Sequence, residues 1–285
     1  MITILSWNIQ NGLGVDGQRS LARIAEVIEQ HQSPDIICLQ EVSRHLALDT
    51  GVPAPDQVAE LAALFPGHTP VFGPAYDLLP PGTTQRAQYG NMILSRCPVL
   101  SSFSHPLPQP PEPGKKQMPR QATEVTVATA SGPLRIMTTH LEFHSQRQRQ
   151  AQILGLRQIH EAIAAIADNP PQATAQGPYQ ALPRGGPAVL CGDFNCLPSS
   201  AELASLLDEA ATTPNALIEA WQALHPGRAH APTCGIFDGA QWPQGAHCRD
   251  FFVVSAPLAA RLTGLQTDVD TAASDHQPII LQLAD

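Results

Sequence analysis

The residues in this chain best equipped for chemistry sit where apolar runs stop. Ala188-Val-Leu-Cys-Gly-Asp-Phe-Asn-Cys-Leu-Pro-Ser199 begins as a run that reads as a buried strand, reaches Gly192, and then presents Asp193 and Asn195. Side chains on a strand alternate, so residues two apart share a face, and Asp193 and Asn195 can address one bound group just past the strand end. A carboxylate there can orient or deprotonate water, and an amide can donate to an oxyanion. The same Gly-Asp-x-Asn string also suits a turn that bonds its own backbone. Similar placements recur. Asp35 to Val42 is a short apolar run closed by Glu41, a charge that is either solvated or bound to a cation. Leu134 to Leu141 ends in Thr138-Thr-His-Leu141, where His140 is either catalytic or structural. Asn8 lies at the exit of the first run, Asp250 near the start of Cys248 to Ser255, and Asp275 and His276 just before Ile279 to Leu283. Tyr89 and Asn91, at the start of a strand over Gly90 to Arg96, either face the same site or serve as a packed ring and a turn amide. Lys115, Lys116 and Arg120 form the basic cluster available to a phosphate.

The elements that must carry these groups alternate along the chain. Ile2 to Ile9 is rich in β-formers and ends at Asn11-Gly12. Arg19 to Gln32 spaces Leu21, Ile24, Ala25, Val27 and Ile28 as a surface helix that Ser33-Pro34 ends. Thr50 to Gly73 reads as a Pro-bearing loop with a helix around Asp56 to Leu64, and Pro74 to Thr84 as a Pro/Gly loop. Ser102 to Gln117 is proline-rich and aperiodic, hence a loop able to line a groove. Ala122 to Thr129 and Leu134 to Leu141 form a hairpin across Ala130-Ser-Gly-Pro133. Glu142 to Ala167 is the longest helix, with Ile153, Leu156, Ile159, Ile163 and Ile166 on one face. Asn169 to Gly186 is a polar loop, Ser199 to Leu207 a helix with Ser199 or Ser200 as cap, and Pro214 to Leu224 another helix. Thr233 to Trp242 is a loop or short strand.

Composition limits the function. A formal charge of -9 with 16 Lys plus Arg in 285 residues supplies no global basic field for long duplex nucleic acid, and favours a short or single-phosphate substrate. No run is long enough to span a membrane. The first ten residues lack a basic start and a cleavage site, so no signal peptide is expected. The six cysteines form no Cys-x-x-Cys pair, so neither a zinc site nor a disulfide framework is indicated, and a cytoplasmic setting with reduced thiols is the expectation.

Taken in order, Ser6-Trp-Asn-Ile9, Leu39-Gln-Glu41, Thr139-His-Leu141, Gly192-Asp-Phe-Asn195, Arg249-Asp-Phe-Phe252 and Ser274-Asp-His276 resemble the endonuclease/exonuclease/phosphatase superfamily. That superfamily includes apurinic endonucleases, DNase I, neutral sphingomyelinases, inositol-phosphate 5-phosphatases and deadenylases. The resemblance covers nearly the whole chain. It implies a DNase I-like α/β (α+β) fold, a four-layer sandwich of two mixed β-sheets flanked by helices; the chain reads as a single domain over residues 1–285, and the Pro/Gly/Ala/Gln-rich composition marks a flexible loop insertion around 169–187. It implies that Glu41, with Asn8 and Asp275 near it, holds Mg²⁺ or Mn²⁺, which prefer a few oxygen ligands completed by water. Asp193 would position or deprotonate the attacking water, Asn195 and His140 would bind phosphoryl oxygens, and His276, oriented by Asp250, would complete the cradle. Asp193 and His276 both have the chemistry of a general base, and both stand as candidates. Tyr89 and Asn91 are the candidate substrate contacts. One departure is Gln10, where many apurinic-endonuclease-like relatives carry an acid two residues after the Asn; it leaves Glu41 as principal ligand. Thr139-His-Leu-Glu142, running into a Gln/Arg-rich helix, is similar to sphingomyelinase-like and tyrosyl-DNA phosphodiesterase-like members, with Arg147 and Arg149 either near substrate or solvated.

The expected function is metal-dependent hydrolysis of a phosphodiester in nucleic acid, a lipid headgroup or a small molecule. The alternative is a non-catalytic phosphate-binding or scaffold protein on the same fold. No motif in the loops names a substrate, and none fixes an oligomeric state.

Overall fold

Short apolar strands bounded by Gly, Pro and polar residues pair into two sheets, in a computed structural model that describes residues 1–31, 33–48, 55–184, 186–208, 213 and 215–285. The chain begins with β1 (Ile2–Asn8), α1 (Leu21–Gln30), β2 (Ile36–Arg44), α2 (Gln57–Leu64), β3 (Thr69–Leu78) and β4 (Ala87–Ser95). It continues through β5 (Val99–Pro106), β6 (Gln121–Thr129), β7 (Gly132–His140), α3 (Gln146–Asp168), β8 (Ala188–Asp193) and α4 (Ala201–Leu206). The last part holds β9 (Leu217–Glu219), α5 (Ala220–Leu224), β10 (Asp250–Ser255), α6 (Ala256–Ala259), β11 (Leu262–Thr267) and β12 (Ile279–Leu283).

The strand orders are β11-β12-β1-β2-β4-β3 and β5-β6-β7-β8-β10-β9, six strands each. Both sheets are mixed: β1 pairs with β2 and β7 with β8 in parallel, and every other pairing is antiparallel. One apolar layer lies between the sheets, with Ile4, Cys38 and Leu281 of the first against Ile136, Cys191 and Phe252 of the second. A second packs the outer face of the first sheet on α1 and α2 through Ile24, Ile28, Leu39 and Leu61; a third packs the second sheet on α3 and α4 through Ile153, Leu156, Met137 and Leu203. The result is the four-layer sandwich expected from the resemblance. Between the sheets, a fully buried amide ties them directly, with Gln40 Nε2 donating to Thr138 Oγ1 at 2.9 Å.

Several boundaries differ from expectation for identifiable reasons. β3 and β5 form where proline-bearing loops are expected. Both are edge strands, where a residue without an N–H removes no obligatory ladder bond, and β3 carries Pro70 and Pro74 with a bulge beside the latter. The expected helix over Pro214 to Leu224 divides into β9, which pairs with β10, and α5, whose backbone N–H groups at Trp221 and Gln222 are accepted by Glu219; residue 214 lies outside the described residues. α3 starts at Gln146 rather than Glu142, because Ser145 Oγ accepts Gln148 N–H at 3.0 Å as its cap. Ser200 rather than Ser199 caps α4, and β11 was not anticipated. α1 ends at Gln30, and residue 32 of the expected helix lies outside the described residues, as do 49–54 of the expected Pro-bearing loop. Residues 169–187, less 185, form neither helix nor strand beyond an isolated bridge between Thr174 and Gln180. Among the described residues no helix is long and apolar enough to cross a membrane.

Gly192 pairs with Thr139 across β7 and β8 with φ of +134°, and a Cβ there would stand 1.9 Å from the Thr139 carbonyl oxygen. Gly192→Ala is therefore expected to cost about 3 kcal/mol or more, at the severe end of single substitutions. Urea unfolding of the two proteins measures this, and a loss under about 1 kcal/mol would contradict the close approach.

Candidate active site

Register alone assembles half of the candidate site. His140 ends β7 opposite Asp193 at the end of β8, and Asp193 faces Asp250 at the start of β10. By alternation they share the inward face with Ile136, Cys191 and Phe252, so all three emerge between the sheets at one end of the sandwich. Asn8 arrives by the same rule from Ile4 on β1.

Glu41 arrives differently. Ile37 and Leu39 face the outer helices, and unbroken alternation would send Glu41 out with them. A β-bulge between Leu39 and Val42 sets Gln40 and Glu41 against Asn91. Glu41 takes a φ of +59°, Val42 fills the outward position, and the carboxylate turns to the site. The expectation of Glu41 at a strand end is thus corrected: β2 runs on to Arg44, and the bulge inside it does the aiming. Ser274, Asp275 and His276 lie before β12 and are tied to β1, with Ser274 Oγ donating to the Asn8 carbonyl at 2.7 Å and Trp7 Nε1 to the His276 carbonyl at 2.9 Å.

The side chains form one network. Asn8 Nδ2 donates to Glu41 Oε1 at 3.2 Å and to Asp193 Oδ2 at 3.1 Å, while its Oδ1 accepts the Gln10 N–H at 3.1 Å. These partners fix the amide orientation, so Asn8 meets the carboxylates with its protons, and its oxygen is already engaged. Asn195, at φ of +52°, gives one amide proton to the Leu141 carbonyl at 3.0 Å. His140 stands with Nε2 3.3 Å from Asp193 Oδ2 and Nδ1 3.8 Å from Glu41 Oε1. His276 Nε2 is 3.6 Å from the same Asp193 oxygen, and its Nδ1 donates to Asp250 Oδ2 at 2.8 Å, which also accepts Thr233 Oγ1 at 2.6 Å.

Charge separates the two imidazoles. Burial pushes His140 well below the ordinary histidine value, helped by Arg120 and His276, so it is neutral. Burial pulls His276 the same way, but Asp250, Asp193 and Asp275 overcome it and hold an imidazolium. Asp193 is raised by burial, with the Asp250 charge adding to it and His276 opposing. Burial, then Asp275, raises Glu41; burial raises Asp275 against the pull of His276. Asp193, Asp250 and His276 place their ligand atoms within 4.8 Å, a spacing compatible with a metal ion, yet a protonated His276 already supplies that trio with a cation. Glu41 and Asp275 are the acids left in excess, and carboxylate oxygens are the donors that a hard divalent cation takes.

Asn8, Glu41, His140, Asp193, Asn195, Asp275 and His276 line a cavity of 470 Å³, and Asp250 is not part of its wall. A larger hollow of 810 Å³ beside α1 contains none of them. Tyr89 is buried against Tyr76 with ring centroids 5.8 Å apart, and Asn91 donates to the Gln121 carbonyl at 3.1 Å; neither lines the cavity. Arg120 does line it, 5% exposed, with Nε 3.5 Å from Glu142 Oε2 and with Nε and Nη1 lacking any hydrogen-bond partner among the described residues. Lys116 shares the cavity wall, and Lys115 does not. Sequence reasoning missed Asn11, whose Nδ2 donates to Glu41 Oε2 at 3.4 Å, and Gln241, whose Nε2 donates to Asp275 Oδ2 at 2.7 Å. Asn11 read only as the chain leaving a strand, and Gln241 sits in a loop without pattern. Gln10 lies on the wall, its Nε2 3.5 Å from Gln241 Oε1.

Comparison with known proteins places this geometry. The family model described as "Endonuclease/Exonuclease/phosphatase family" matches residues 5–276. An endonuclease/exonuclease/phosphatase from Beutenbergia cavernae superposes with a TM-score of 0.68 at 23% identity, covering 99% of this chain and 72% of that one. A mannosyl-6-phosphatase of Bacteroides thetaiotaomicron gives 0.66 at 17% identity, covering all of both chains (100% and 100%). A 3′ phosphatase from Neisseria, bound to a product DNA hairpin, gives 0.61 at 20% identity with the same full coverage, 100% and 100%. At these identities the likeness is one of fold. No curated protein sequence matches the chain.

In chelator-treated protein, NMR titration is expected to show His276 protonated above the ordinary imidazole value of about 6.5 and His140 neutral well below it. His276 binds its proton more tightly folded than unfolded. Its contribution to stability is complete below about pH 6.5 and is lost as pH rises through the raised folded value. His140 has the opposite sign, so its penalty grows as pH falls below about 6.5. Asp250→Asn should bring His276 down and cost about 3–5 kcal/mol, as when a buried pair loses one partner. A parent His276 that titrates like a free imidazole would refute the assignment.

Proposed function

Because the chain belongs to the endonuclease/exonuclease/phosphatase family, we propose that it is a divalent-cation-dependent hydrolase that cleaves a phosphodiester by direct attack of water. One observation carries the reading: Asp193 stands between a neutral imidazole 3.3 Å away and a cationic one 3.6 Å away, on a cavity that also holds the uncompensated Glu41 and Asp275. Glu41 and Asp275 would hold Mg²⁺ or Mn²⁺. When bound, such an ion neutralises charge on the phosphoryl and leaving oxygens.

The protein's own groups divide the remaining work. Asp193 is the general base, since a carboxylate accepts a proton and an imidazolium does not; this favours it over His276. Burial raises its proton affinity toward that of the water proton it must take. His276, held by Asp250 and protonated, donates to an oxygen on the transferring group. His140, neutral, donates a second hydrogen bond, and the remaining amide proton of Asn195 a third. Asn8 keeps Asp193 and Glu41 in register. Arg120 adds a guanidinium on the cavity wall, whose planar fork suits a non-bridging oxygen. Hydrolysis of phosphate esters needs mostly positioning and charge stabilisation, which this set supplies.

Purified protein is expected to release product from at least one of abasic DNA, single- and double-stranded DNA, RNA, sphingomyelin, inositol phosphates and a chromogenic phosphodiester, with Mg²⁺ and not with EDTA. Glu41→Ala should lower kcat by about 10³-fold, and Asp193→Ala by about 10²–10⁴-fold. Silence across the panel with retained calorimetric Mg²⁺ binding would instead favour a non-catalytic phosphate binder.

Arg120→Gln is expected to lower kcat by about 10²-fold, the scale of one lost electrostatic donor, with Arg120→Lys recovering only part because a point charge cannot reproduce the fork. Unchanged kcat in both variants would remove Arg120 from the mechanism.

A further inference from the structure

Phe143 is a large apolar side chain left 40% exposed on the wall of the same cavity that holds Asp193 and Arg120. Its neighbours account for how it is held. The ring stands edge-on to Trp242, with centroids 5.7 Å apart and planes at 75°, and the Arg249 guanidinium lies 5.5 Å from its centroid. Trp242 is itself 2% exposed and edge-on to His276 at 5.8 Å, so the aromatic wall continues to the catalytic imidazole.

The turn beneath the ring is pinned. Glu142 N–H donates to Gln152 Oε1 at 2.9 Å, Glu142 Oε1 accepts His144 N–H at 2.8 Å, and Arg149 Nη1 donates to the Glu142 and Phe143 carbonyls at 2.9 and 3.2 Å. The other oxygen of Glu142 faces the Arg120 guanidinium at 3.5 Å. One side chain therefore sets the distance between the cation for a phosphate and the ring beside it. Met118 lines the same cavity, whose 470 Å³ accommodates one ring next to a phosphoryl group.

From this arrangement we infer that Phe143 is the platform on which a planar aromatic ring of the substrate, an aryl group or a nucleobase attached close to the phosphate, stacks during hydrolysis. The inference rests on the proposed hydrolase site. Stacking on an aromatic side chain is tolerant of the ring's identity because every ring offers a π-face, whereas a puckered ring of equal size does not match it. Phe143 is thus a specificity-determining residue that acts on binding of the ester group and leaves the proton transfers to Asp193 and His276.

Four ligands that contain no phosphodiester separate the possibilities: the phosphonates phenylphosphonate, cyclohexylphosphonate and methylphosphonate, whose P–C bond resists hydrolysis, and the monoester thymidine 5′-phosphate, each titrated calorimetrically into the Mg²⁺-loaded parent, Phe143→Leu and Phe143→Ala. Phenylphosphonate should bind the parent about ten-fold more tightly than cyclohexylphosphonate. Phe143→Leu, which keeps an apolar group against Trp242, should erase that difference while leaving methylphosphonate affinity unchanged. A matching loss for thymidine 5′-phosphate identifies the ring as a base; a loss confined to phenylphosphonate identifies an aryl ester. Equal binding of the planar and puckered rings, with methylphosphonate still bound, overturns the platform and leaves the hydrolase site standing. Failure of all four ligands to bind the parent overturns both.

Discussion

Everything in the candidate site depends on how buried negative charge is balanced. Glu41, Asp193, Asp250 and Asp275 converge at one end of the sandwich, where taking an ionised carboxylate out of water is among the costliest things a fold can do. His276 answers part of that cost by remaining protonated between Asp250 and Asp193. Asn8 answers another part with its two amide protons. What remains lies at Glu41 and Asp275, the two acids to which the proposed divalent cation is assigned. The same imbalance keeps His140 and His276 chemically distinct, although both are imidazoles on the same carboxylate.

The geometry that permits this is strained in particular places. Glu41 and Asn195 hold left-handed backbone conformations, as do Gln10 and Asn11 beside them. Each such residue costs of order 1–3 kcal/mol, somewhat less for Asn, and the cost persists only where the surroundings enforce it. Fully burying one Leu, Ile or Phe offsets about 1.5–3 kcal/mol. Three apolar layers flanking and separating the sheets hold many such side chains, so the fold tolerates several strained residues in one corner. Of the six non-glycine residues with positive φ among the described residues, four are these, and the other two are Ser33 and His45.

Much of this was legible from residue pattern. Short apolar runs ending in Asn8, His140 and Asp193 located the strands and the rim, because alternation fixes which side chains share a face. The helices α1 and α3 were legible from spacing, and their ends were decided by single caps at Ser20 and Ser145. The edge strands β3 and β5 were hidden because their prolines and exposed faces resemble loops, and only the partner strand distinguishes them. Glu41 was legible as a residue but its route was not: a bulge is a property of two strands at once. Arg120 was visible only as one basic residue among three, since nothing in the local sequence says that it is buried and its neighbour Lys115 is not. Gln241 and Phe143 come from loops whose positions depend on contacts far along the chain.

The order of strands has a consequence for how the protein is made. β1 is internal to its sheet, flanked by β2 and by β12, and Ile2 pairs with Leu283. At about 5–20 residues per second, synthesis leaves β1 without that neighbour for roughly tens of seconds. During that interval its edge is open, and the segment carrying Asp275 and His276 does not yet exist. The nascent chain thus carries Glu41, Asp193 and Asp250 before it carries His276, and the charge balance is struck only when the segment leading into β12 reaches β1.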